Sequence, residues 1–164
     1  MENHYREGQP IKGLVSYRVS EMIPSIFNYI EYELNEHSAW ELFLFRESFR
    51  FMPLCWHAAY AHCTYILERA DLEKLASTKR TSWSRKERKR VDITADVAAY
   101  RDDESLLPKV TMLSKNEALV HYAYWNNWAG LVRAGMKITK ENGATTFCDV
   151  YGERLVEYDI GIRF

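Results

Sequence analysis

AGLVRAGMKITKENGATTFCDVYGERLVEYDIGIRF, residues 129–164, is the stretch that decides the fold class. Near its end Val156, Tyr158, Ile160, Ile162 and Phe164 take every second position, with Glu157, Asp159, Gly161 and Arg163 between them. Strict alternation describes a strand with one face buried and one wet. Val132, Ala134, Met136 and Ile138 alternate in the same way with Arg133, Gly135, Lys137 and Thr139. Glu141-Asn142-Gly143 supplies a turn, because Asn and Gly tolerate the positive φ of tight hairpins. Residues 145–151 are β-prone, and Gly152-Glu153 reads as a second short turn. The expectation is a C-terminal three-strand antiparallel meander whose apolar face the preceding chain covers.

Upstream, the signals are mostly helical. Ser114 with Glu117 has the spacing of a capping box, and Ala118, Tyr122, Trp125, Ala129 and Val132 step by four and three, which predicts a helix to about Trp125. Ser84 with Glu87 predicts another, running through the basic segment to Tyr100 with Ile93, Val97 and Tyr100 on its inner face. Residues 101–105 end it and Pro108 lies in a loop. Ala59, Cys63, Ile66 and Ala70 form a stripe in a helix that follows Pro53 and fades at Ser77-Thr78. Residues 40–52 carry two patterns at once. Ser38 and Glu41 argue for helix, whereas Phe43, Phe45, Phe49 and Phe51 share one parity, and the expectation here is a strand. Residues 24–36 are expected to be helical and residues 11–19 to hold a short strand. No repeat or low-complexity linker interrupts residues 1–164, so the expectation is a single α+β domain, its helices packed on a largely antiparallel sheet.

Charge and cysteine content narrow the function classes. The net charge of −1 argues against a general affinity for nucleic acid or membranes. It conceals a segregation: residues 79–90 hold seven Lys/Arg against one Glu, while the segments on either side are acidic. The apolar-rich region 51–67 is broken by His57 and His62 and is too short and polar to span a bilayer. Three cysteines without framework spacing, and no apolar leader after Met1, point to reduced thiols and a cytoplasmic setting.

Candidate chemistry is sparse. Cys55, His57, His62 and Cys63 resemble metal ligands by type, but on a helix the histidines diverge, Cys55 and His62 lie too far apart along the axis for one ion, and Cys55 and Cys63 lie farther still. Asp102-Asp103-Glu104 and the series Asp149, Glu153, Glu157, Asp159 are the acidic groups that a metal-dependent nuclease would need. The wet face of a strand accounts for Glu157 and Asp159 without a metal, and no Walker-type loop, GxGxxG or HExxH occurs. No catalytic residue, metal site or cofactor is expected.

The basic run is the least ordinary feature. Lys79, Arg80, Trp83, Arg85, Lys86, Arg88, Lys89 and Arg90 are the candidate partner-binding residues. Such a cluster suits an acidic protein surface, where long-range attraction speeds association. It also suits phosphates, with Trp83 stacking on a base. The expectation is a non-catalytic binding protein that neutralises a macromolecular partner, in the manner of an inhibitor or immunity protein against a toxin or nuclease. A nucleic-acid-binding module using residues 79–90 is the alternative, and a metal-dependent, nuclease-like enzyme comes third.

Overall fold

The computed structural model describes Phe27, residues 29–50 and residues 63–161, with the side chains of residues 49 and 50 outside that description. The elements in chain order are α1 (Glu36–Arg50), β1 (Cys63–Ile66), α2 (Arg69–Ser77), β2 (Thr81–Ser84), β3 (Lys89–Asp92) and α3 (Thr94–Ala98). A 3-10 turn (Glu104–Leu106) precedes β4 (Lys109–Ser114), β5 (Glu117–Asn126), β6 (Gly130–Glu141) and β7 (Ala144–Val156). The class is α+β. One sheet has the order β1-β5-β6-β7, with β4 also pairing β5, and a second consists of β2 and β3.

The C-terminal meander is present, but it lies one strand earlier in the chain than the sequence suggests. Its strands are β5, β6 and β7. Asn142 and Gly143 make the β6–β7 turn with φ of 51° and 80°, the left-handed pair that a two-residue hairpin loop requires. The expected turn at Gly152-Glu153 lies inside β7, and the expected last strand from 156 onward retains only Val156. Residues 157–161 leave the sheet, and residues 162–164 lie outside the described part.

β5 replaces the helix expected after Ser114. Ser114 and Glu117 bracket a hairpin turn, in which the Ser114 hydroxyl accepts from the Asn116 amide at 3.1 Å. The 4-3 stepping has a different origin from a helix. Burial along β5 falls on Ala118, Val120 and Tyr122, and then on Ala123 and Trp125. A strand whose buried parity changes once imitates helical periodicity over a short window.

The chain folds as two compact units. In the first, whose described residues are 27, 29–50, 110–120 and 135–152, α1 buries Ala39, Leu42, Phe43 and Glu47 at steps of three and four. This corrects the strand expected over residues 40–52. Phe43 is 0% exposed and Phe45 38%, so the shared parity of the phenylalanines is incidental. Asn35 starts α1 by a reciprocal box: Ser38 N donates to Asn35 Oδ1 at 3.0 Å, and Asn35 N donates to Ser38 Oγ at 2.9 Å. The helix expected over residues 24–36 is also corrected, since residues 30–35 are not helical. Residues 24–26 and 28, like the strand expected over residues 11–19, lie outside the described part. Ala118, Val120, Met136 and Ile138 are fully buried strand residues of this unit. Arg46 donates to Glu47 at 2.5 Å and to the Met136 sulfur at 3.5 Å.

The described residues of the second unit are 63–109, 121–134 and 153–161. Ile66, Leu72, Leu75, Ile93, Val97, Leu106, Ala123, Trp125, Leu131 and Val156 form its core. Residues 63–66 are a strand and not the helix expected there, and α2 is the helical part of that expectation. Two Asp71-accepted bonds, from the amides of Leu67 (2.9 Å) and Glu68 (3.1 Å), start α2 afresh after the strand. Gly130 turns the chain into β6 with φ +86°, where any Cβ would lie 2.0 Å from the Val156 carbonyl oxygen. Only glycine fits there.

Candidate functional site

The basic run folds as a β-hairpin, not as the start of a helix. β2 and β3 pair antiparallel with Thr81 opposite Asp92, Ser82 opposite Val91, Trp83 opposite Arg90 and Ser84 opposite Lys89. Thr81, Trp83 and Val91 favour strand, and a helix opening at Ser84 would have gathered five cations in its first six residues against the macrodipole. The Ser84/Glu87 spacing is used in the turn, where Glu87 N donates to Ser84 Oγ at 3.2 Å. The helix that does form, α3, begins only after the hairpin. Thr94 N donates to Asp92 Oδ1 at 2.8 Å and Arg80 N to Thr94 Oγ1 at 3.0 Å. Hydrogen bonds from Thr94 to Asp92, first from the Thr94 side chain and then from its backbone amide, hold the Asp92 carboxyl below its ordinary range, with Lys79 adding to the effect. Ile93, Val97 and Tyr100 do lie on the inner side, packed in or against the core.

The segment after β7 runs along the other side of β2. Trp83 N donates to the Asp159 carbonyl at 2.8 Å, and Asp159 N donates to Ser82 Oγ at 2.9 Å. Asp159 also accepts from the Gly161 amide at 2.8 Å and from Arg85 Nε at 3.3 Å, and its side chain is only 19% exposed. Asp159 is therefore an organising residue of the hairpin and not the outward acid that alternation implies. Tyr158 packs on Trp125, with ring centroids 5.0 Å apart.

The eight candidate residues fall into different environments. Arg80 lies over the Trp125 ring at 4.1 Å, and burial pushes its guanidinium below the ordinary value against an opposing influence from Tyr158. Its Nε is buried without a hydrogen-bond partner. Trp83 is partly buried with its side chain beside Gly161, where an added Cβ would come within 3.2 Å. Arg90 reaches across β2, donating to the Thr81 carbonyl at 3.4 Å and the Ile160 carbonyl at 3.1 Å. These three hold the hairpin together and to its surroundings. Arg85 pairs with Asp159 and Lys89 with Glu87, the latter at 2.8 Å. Lys79, Lys86 and Arg88 are exposed and form no ion pair among the described residues. Lys79 stands at the open end of the hairpin, so the structure brings together Arg85, Lys86, Arg88 and Lys89 at the tip and leaves Lys79 apart. Arg88 has φ +52°, a left-handed conformation that favours glycine or asparagine.

The acidic groups are taken up mainly by arginines. Asp102 and Glu104 pair with Arg69 at 3.4 and 2.6 Å, Glu153 with Arg133 at 2.6 Å and Glu157 with Arg154 at 3.7 Å. Among the described residues no three His, Cys, Asp or Glu side chains converge as metal ligands would. Cys55, His57 and His62 lie outside the described residues, and Cys63 sits on β1, accepting from Asn126 Nδ2 at 3.0 Å. Separations derived from a helix therefore do not apply to Cys63. No described helix is long and apolar enough to cross a membrane. Sequence reasoning missed Ile160 and Thr94 and misplaced Asp159, for which the one available signal is the Asp159-Ile160-Gly161 spacing of a side-chain-to-backbone turn.

No protein-family model matches the chain, and searches of curated proteins and of solved structures return no match.

Proposed function

We propose that this chain is a non-catalytic binding protein that occupies an acidic surface of a protein partner with the tip of the β2–β3 hairpin, as an inhibitor or immunity protein would. The supporting observation is the tip itself. Four exposed cations flank Glu87 in five consecutive residues, and Arg88 holds a left-handed turn position at a conformational cost. Residues kept in costly conformations cluster where a surface is used. Cys63 and Cys148 form no disulfide among the described residues, which suits a reducing, cytoplasmic setting.

A protein partner is favoured over nucleic acid by the placement of Trp83. Binding of single strands relies on aromatic faces open to bases, and Trp83 is partly buried beside Gly161. Titration with mixed single-stranded oligonucleotides at low salt, followed by tryptophan fluorescence, tests this. The expected result is no saturable quenching. Saturable quenching whose affinity falls linearly with the logarithm of salt would overturn the protein-binding reading in favour of phosphate contacts.

A further inference from the structure

The hairpin has two edges, and the described residues use one. The Trp83 amide bonds Asp159 on the side of β2 away from β3, so Trp83 and its opposite residue Arg90 form a non-hydrogen-bonded pair. In such a pair the backbone N–H and C=O of Arg90 point away from β2, and by the period of two so do those of Asp92. No strand among the described residues pairs along that edge, and Lys89, Arg90 and Asp92 are exposed. Short, charged edge strands resist joining a copy of themselves. The same cations attract a strand of opposite charge. The edge is therefore selective and not closed.

From this edge and the cationic tip beside it, we infer that β3 receives an extended acidic segment of the protein partner, which adds as a strand along Lys89–Asp92. Main-chain bonds to Arg90 and Asp92 supply register, and the field of Lys86 and Arg88 selects acidic side chains. The inference rests on the reading of the tip as the partner-binding surface and specifies what that surface takes.

The probe is an eight-residue peptide alternating Glu and Thr, compared with the same peptide N-methylated at every backbone amide. Both are titrated at low salt into isotopically labelled protein while individual amides are followed. The unmodified peptide should shift the Arg90 and Asp92 amides and slow their hydrogen exchange at least tenfold. The methylated peptide should bind at least tenfold more weakly. Equal binding of the two peptides, abolished by Lys86→Glu with Arg88→Glu, overturns strand addition and leaves the tip reading in place. Failure of both peptides to bind overturns both.

Discussion

Arg88 holds φ at +52° in a turn where glycine or asparagine would fit with less strain. Its side chain is exposed, so Arg88→Gly removes a charge and relieves the backbone without opening a cavity. The expected outcome is a stability gain of up to about 1 kcal/mol, read as a higher urea midpoint with an unchanged slope. Partner association should slow in the same variant. Stability and binding then move in opposite directions, which a purely structural turn residue would not do. Arg80 and Arg90 stand at the other extreme: they are equally basic in the sequence, yet one is stacked on Trp125 and the other caps two carbonyls. Charge type alone could not separate these roles, because the difference lies in which neighbours the hairpin brings to each guanidinium.

At the level of elements, the hairpin is held by Asp159, and this sets a contrast with Glu157 two residues earlier. Asp159 accepts from Arg85 and Gly161 and is 19% exposed, whereas Glu157 is 83% exposed. Asp159→Ala should cost about 1–3 kcal/mol, since it removes the carboxylate that accepts from the part-buried Gly161 amide and from Arg85, and Glu157→Ala no more than about 0.5 kcal/mol. Paired denaturation curves check both values, and equal small effects would remove Asp159 from its organising role. Alternation in the sequence assigned the two acids to one wet face, because it assumed that residues 156–164 stay in the meander. The main-chain bond from Trp83 decides otherwise, and no local pattern announces a partner so distant in the chain. Element boundaries failed for related reasons. β5 changes its buried parity and so imitates a helix, and α1 contains phenylalanines that share a parity without sharing a face. The Asn142-Gly143 turn was legible because its chemistry is contained within two residues.

For the molecule as a whole, the α+β class and the meander were readable, since they rest on β6 and on turn residues whose signals are local. The candidate site was readable as a charge anomaly and not as a shape. Seven cations in residues 79–90 predict a surface that is used, but only the fold shows that Arg85, Lys86, Arg88 and Lys89 gather at one tip while Arg80 and Arg90 turn to structural work. The most direct test of that division is the association rate of the protein with its partner from the native host, for the parent and for Lys86→Glu with Arg88→Glu. Exposed tip charges steer encounter, so the double variant should fold as the parent does and associate about tenfold or more slowly at low salt, the gap narrowing as salt rises. An association rate equal to the parent's at every salt concentration would contradict the account.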